Sequence, residues 1–216
     1  MEDQMFPNIG ELIVGAFRLA QSSNKETHER WIRVSFRIGS RLPQSLLSVS
    51  IQRLGEIDLL CRALEQELLE RPGREGELDF RYNYLWILSE WWIGCAYAVC
   101  FTLKDRKILT DPDFLKLADD LRMIRVQIEK HEVASDKKLT EPLQFSPTQL
   151  RPDEKTPPIF QYDKNDRLRA HIPRRGSSST KRSAMWEVFD VKADESRWYE
   201  RLDLSDRMLN LFDPQS

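Results

Sequence analysis

The sequence predicts a mainly α-helical protein: a bundle of about four helices with a small β element and a partly ordered C-terminal arm. Three observations carry that expectation. Apolar residues recur at steps of three and four through most of the first 134 residues. The stretch from Leu85 to Leu103 is apolar nearly all round, which a helix tolerates when neighbours surround it. After about residue 140 the periodicity stops, and Pro142, Pro147, Pro152, Pro157 and Pro158 punctuate a linker.

Taken in order, Asn8 to Ala20 reads as an amphipathic helix. Asn8 and Glu11 have capping-box spacing, and Ile9, Leu12, Ile13, Ala16, Phe17 and Ala20 form its stripe. Ser22 to Glu29 is polar and reads as a loop. From Trp31 to Ile38 the period changes: Ile32, Val34, Phe36 and Ile38 alternate with Arg33, Ser35 and Arg37, as in a half-buried strand. Pro43 marks the next start. Ser45 to Arg71 is heptad-like, with Leu46, Val49, Leu54, Ile57, Leu60, Leu64 and Leu68 as its stripe, closed by Arg71-Pro72-Gly73. The helix after Leu103 starts near Asp111-Pro112, with Pro112 in the first turn. Phe114, Leu117, Leu121, Ile124 and Ile128 follow, and His131 is the next position on that stripe.

This places the bundle in residues 1–140, packed from about Asn8 to Ala134. Residues 141–216 hold the Pro-rich linker, a hairpin, a basic loop and a short terminal helix. The hairpin is Ile159 to Ile172, turning at Asp163-Lys164-Asn165-Asp166. Arg174 to Ser183 reads as flexible and basic, and Trp186 to Val191 as a strand. Ser205 to Phe212 reads as a helix capped by Ser205 or Asp203.

Charge and cysteine usage narrow the function classes. Against 35 Asp+Glu stand 33 Lys+Arg, a formal charge of −2, so no strong positive field attracts phosphates over the whole surface. Three cysteines, Cys61, Cys95 and Cys100, read as free thiols in a reducing cytoplasm. The histidines His28, His131 and His171 lack ligand spacing, so no metal or cofactor is expected. Tyr84 to Leu103 is long enough to span a bilayer, but Glu90 lies inside it, at a cost of about 2.5–3.5 kcal/mol on the insertion scale. The expectation is a buried helix of a cytoplasmic protein. No P-loop, GxSxG or HExxH occurs.

The densest polar cluster runs from Leu121 to Glu132 and contains Arg125 and His131 in an R-x5-H arrangement. On an ideal helix these two point about 120° apart with about 9 Å of rise between them. They converge on one ligand only through Arg125's length, a helix irregularity or a second protomer. Arg125 and Glu129 are also an i,i+4 pair, and Arg122 reaches Glu129, so both arginines equally suit helix salt bridges. Glu90, in so apolar a helix, needs a partner: Arg125 or His131 in a functional arrangement, Arg81, Arg122 or a tyrosine hydroxyl in a structural one.

R-x5-H on a late helix of a bundle resembles the HEPN superfamily, the resemblance covering roughly Gln44 to Ala134. Val126 departs from the polar residue that commonly follows the arginine. The resemblance implies metal-independent RNA cleavage by the ribose 2′-hydroxyl, at a site formed across a homodimer. His131 is then the general acid or base, Arg125 the phosphate-binding and charge-stabilising group, and Glu90, Arg122, Glu129 and Glu132 their support.

Lys164, Arg167, Arg169, Arg174, Arg175, Lys181 and Arg182 form a basic run with Tyr162 and His171 interleaved. Such a run tracks a nucleic-acid backbone, or is a solvated linker. Trp86, Trp91 and Trp92 with Tyr82, Tyr84 and Tyr97 suit an aromatic pocket, or a core and interface. Two functions therefore stand side by side. One is an RNA-acting HEPN-like protein. The other is a non-enzymatic accessory protein that binds another protein through its aromatic surface and C-terminal arm.

Overall fold

A computed structural model describes residues 8–73, 78–145, 160–170 and 176–214. Six α-helices and two small antiparallel sheets occur among these residues. Helix α1 spans Ile9–Ser23 and has the expected capping box: Asn8 Oδ1 accepts from the Glu11 N–H at 3.0 Å, and Glu11 Oε2 from the Asn8 N–H at 3.3 Å. It packs through Ala20 and Phe17 and leaves Ile9, Leu12, Ile13 and Leu19 exposed.

Helix α2, Lys25–Gly39, replaces both the expected loop at Ser22 to Glu29 and the expected strand at Trp31 to Ile38. The alternation of Ile32, Val34, Phe36 and Ile38 there is a coincidence of apolar spacing. Its buried positions are Trp31, Val34, Ser35 and Ile38, spaced i, i+3, i+4 and i+7, whereas Phe36 faces solvent. A complete apolar face set against the next helix outweighs local β preference.

Helix α3, Leu47–Glu70, lies against α2 at close range. A Cβ on Gly55 would stand 2.6 Å from Trp31 Cγ, so only glycine lets the indole seat on α3 at this point. Of the expected stripe, Leu54, Ile57 and Leu68 are buried, but Leu46 and Val49 are exposed. In their place α3 buries Ile51, Cys61 and two carboxylates, Asp58 and Glu65.

Helix α4, Phe80–Asp105, begins with Asp79 accepting from the Arg81 N–H. By length and composition it is a helix that can cross a membrane. Its Leu85, Trp92, Ile93, Ala96, Val99, Cys100 and Leu103 are buried in the bundle. Neighbours do not surround it, contrary to expectation, and one long face remains open. Helix α5, Pro112–Lys130, starts as expected, with Asp111 accepting from the Asp113 and Phe114 N–H groups and Pro112 in the first turn. Its buried stripe is the expected Phe114, Leu117, Leu121 and Ile124. His131 leaves the stripe: it ends the helix in the left-handed conformation, φ 54° and ψ 32°, with its side chain exposed.

Beyond α5, strand β1 (Leu143–Phe145) pairs with β2 (Phe160–Tyr162). The expected hairpin is corrected by this pairing, because the partner of β2 precedes it in sequence. Asp163 to Asp166 does turn, with Asp163 Oδ1 accepting from the Asn165 N–H, and His171 and Ile172 lie outside the described residues. Strands β3 (Gly176–Ser178), β4 (Ala184–Asp190) and β5 (Glu195–Glu200) form the second sheet, so the described part of the expected basic loop includes a strand. Strand β4 covers most of the expected Trp186 to Val191 strand, begins two residues earlier, and alternates buried and half-buried positions. Strand β5 runs directly into α6, Arg201–Phe212, four residues before the expected start. Leu204, Met208, Leu209 and Phe212 of α6 and Trp186 and Val188 of β4 join the same hydrophobic core as the bundle.

Candidate functional site

The R-x5-H residues occupy the seam between α4 and α5. Arg125 Nη2 lies 2.5 Å from Glu129 Oε2, and its Cζ stacks 4.8 Å from the centroid of the Tyr97 ring. Glu129 overhangs α4, where a Cβ on Gly94 would stand 3.3 Å from Oε1. His131, one step past the helix end, comes close enough to Glu90 to favour that carboxylate's charged form. Desolvation of the Glu90 carboxyl is stronger and raises its pKa from the ordinary value. The seam thus brings together Glu90 with His131, and Arg125 with Glu129 and Tyr97. Arg125 and His131 take separate partners.

The other expected supporting residues point elsewhere. Arg122 donates to Asp119 Oδ1 at 2.9 Å, and Lys192 holds the second oxygen of that carboxylate at 3.0 Å. Glu132 pairs with Arg169 at 3.3 Å. Of the carboxylates on this seam, Glu129 and Glu132 are each paired with a guanidinium, Arg125 and Arg169, and Glu90 is the one that feels His131.

Three of the five described residues of the basic run, Lys164, Arg169 and Arg182, are engaged by the fold. Arg169 Nε donates to Asp136 Oδ2 at 2.9 Å, and the Tyr162 hydroxyl donates to the same oxygen at 2.9 Å while accepting from the Val133 N–H at 3.2 Å. Lys164 Nζ donates to the Leu139 carbonyl at 2.6 Å, and Arg182 to the Tyr82 hydroxyl at 3.0 Å. Arg167 and Lys181 are exposed, whereas Arg174 and Arg175 lie outside the described residues. Among the described residues, no group of three or more His, Cys, Asp or Glu side chains is placed to hold a metal.

The aromatic residues separate into distinct environments instead of lining one pocket. Trp92 is fully buried, and Trp86 meets Trp186 edge to face with centroids 5.4 Å apart. Trp91 and Tyr84 are exposed by 56% and 58%. They belong to a stripe with Phe80, Ile87, Ala98 and Phe101, which are also exposed, and with half-buried Gly94. At 100° per residue these seven positions fall within an arc of about 100° and extend along about 32 Å of helix. Between Phe80 and Phe101 the arc contains no charged residue and one exposed polar one, Asn83, at its edge in line with Phe101. Glu90, Tyr97, Arg125 and Glu129 border it on the α5 side. An apolar centre with a polar margin is the anatomy of a protein interface.

Two features escaped the sequence reading. One is which side of α4 stays open: an aromatic binding surface was one expectation, but a helix apolar on every side does not mark its exposed face. The other is a buried ionic network: Arg201 donates to Asp58 Oδ1 at 2.5 Å and to both oxygens of Glu65, all three being at most 3% exposed. Trp31 Nε1 and Arg62 Nε also donate to Asp58, at 2.9 and 2.8 Å. Cys61 sits beside this network and Cys100 deeper in the core, and burial pushes both thiols up to about 12. No protein-family model, curated protein or solved structure matches the chain.

Proposed function

We propose that this protein is a non-enzymatic helical interaction module that binds another protein surface through the open face of α4. The observation that carries this reading is the apolar stripe Phe80, Tyr84, Ile87, Trp91, Ala98 and Phe101, exposed along one side of a helix whose other side closes the core. Monomeric proteins rarely expose apolar patches beyond a few hundred Å², and larger ones mark interaction sites. The seam residues fit this role as a rim: Arg125, Glu129 and Glu90 keep unwanted apolar partners out and orient the right one.

Photo-crosslinking tests the reading. With p-benzoylphenylalanine at position 91, cells producing the protein should yield a discrete protein adduct. The same group at exposed Lys116 of α5 should yield none. Absence of an adduct at 91, or equal adducts at both positions, removes the reading.

The RNA-acting alternative gives an opposite expectation in a separate assay. With Arg125 and His131 on separate partners, neither wild type nor His131→Ala should cut a mixed RNA pool in EDTA. Cleavage by wild type that disappears in His131→Ala would reinstate a metal-independent ribonuclease with His131 in its site.

A further inference from the structure

We propose that the partner of the α4 face is the same face of a second copy of this chain, the two helices running antiparallel about a two-fold axis near Trp91. This rests on the interaction reading above and names its partner. The argument begins with the distribution of bulk along the stripe. Its N-terminal half is large (Phe80, Tyr84, Ile87), and its C-terminal half before Phe101 is small (Gly94 and Ala98, with half-buried Cys95 beside them). Reversing one copy against the other sets Tyr84 across from Ala98 and Ile87 across from the Gly94–Cys95 step. Trp91 then meets Trp91 at the axis, and Phe80 approaches Phe101. Tyr84 and Ile87 each find a small residue opposite, as facing helices interdigitate, and the remaining rings of the stripe meet one another as aromatic pairs.

A parallel pair has no such fit, since Tyr84 would meet Tyr84 and Ala98 would leave a gap opposite Ala98. Self-complementarity of this kind is what a two-fold interface requires: residue i contacts j, and j contacts i. A two-fold axis brings like groups together, and the stripe itself carries no charge; exposed Glu90, at its border beside Trp91, falls to the rim of the pair. Area agrees as well. With 150–250 Å² per aromatic side chain, the exposed fractions of Phe80, Tyr84, Trp91 and Phe101, together with Ile87, leave on the order of 500 Å² per copy. That approaches the ~800 Å² per partner of a standard specific interface before the polar rim is counted.

Sedimentation equilibrium on the full chain decides the matter, with Ala98→Tyr and the double variant Tyr84→Ala/Ala98→Tyr beside wild type. Position 98 is exposed, so each variant should keep the wild-type circular-dichroism melt. Wild type should sediment at twice the 25.5 kDa chain mass. Ala98→Tyr, which sets two tyrosines against each other, should weaken association about tenfold or more. The double variant should recover it, because exchanging large for small restores the fit with the ends reversed. A wild type that stays monomeric at every concentration overturns the proposal, as does undiminished pairing of Ala98→Tyr or failure of the double variant to recover. A monomer that floats with phosphatidylcholine vesicles also overturns it and assigns the face to lipid. The interaction reading fails separately: a monomeric wild type that still gives a protein adduct at position 91 loses the self-pairing but keeps the interface, whereas no adduct removes both.

Discussion

Replacing Arg201 with methionine should lower the unfolding free energy by about 3–5 kcal/mol, the cost of breaking a buried ion pair by removing one partner. Arg201 is fully buried and carries the only guanidinium that reaches both Asp58 and Glu65 among the described residues. Without it Glu65 is left as a buried carboxylate with no cation, and Asp58 keeps only Arg62 and the Trp31 indole. Urea denaturation followed by tryptophan fluorescence measures the loss. Replacing Asp58, Glu65 and Arg201 together by apolar residues of similar volume should cost less than Arg201→Met alone, because no charge is then stranded in the core.

The same network predicts how that loss depends on pH. Burial opposes ionisation of Asp58, but Arg62 and Arg201 outweigh it and hold the carboxyl below its ordinary value. A depressed folded-state pKa means that the native state binds fewer protons than the unfolded chain. The resulting stability is complete above the unfolded value of about 3.9 and disappears as pH falls through the lower, folded value. Removing Arg201 raises the folded value, so less stability remains to be lost in acid. The gap between wild type and Arg201→Met should therefore be widest above about pH 4 and narrow below it. A gap that stays constant into acid would show that Asp58 does not depend on Arg201.

How much of this was legible in the sequence depends on which cue a residue offered. Caps and prolines were reliable, since the Asn8–Glu11 box and Asp111-Pro112 act through neighbouring backbone groups and need no tertiary context. The α2 segment misled because Ile32, Val34, Phe36 and Ile38 satisfy a strand pattern, while Trp31, Val34, Ser35 and Ile38 satisfy a helical one. Only the glycine of α3 that receives Trp31 decides between them. The network was hidden for a related reason. Asp58 and Glu65 on α3 look like solvated helix charges until a cation at the far end of the chain comes to lie between them. Among the candidate site residues, Arg125 with Glu129 was readable from i,i+4 spacing, and Glu90 with His131 was one of the pairings suggested by a carboxylate in so apolar a helix, although Glu90 lies exposed at its edge. The left-handed turn that separates His131 from Arg125 had no signal, because neither glycine nor asparagine marks the position.

Adjacent tryptophans on α4 should give opposite results, and this contrast tests the division of that helix into a core side and a binding side. Trp92 is fully enclosed, with the Arg201 guanidinium 5.8 Å from its ring centroid. Trp92→Ala should cost about 3–5 kcal/mol through lost apolar burial and the cavity left behind. Trp92→Phe should cost less, because it also removes an indole N–H buried without a hydrogen-bond partner among the described residues. Trp91, one residue away and about 100° round the helix, lies more than half in solvent. Trp91→Ala should change stability by no more than about 0.5 kcal/mol, as exposed substitutions do. Its effect should appear in association, since it deletes the side chain at the proposed two-fold axis, where interface energy concentrates in aromatic anchors. Urea midpoints at low protein concentration isolate the folding effect, and sedimentation at high concentration isolates association. If Trp91→Ala unfolds the chain as readily as Trp92→Ala, the apolar stripe belongs to the core after all. If it leaves both stability and association unchanged, the open face of α4 has no binding role at its centre.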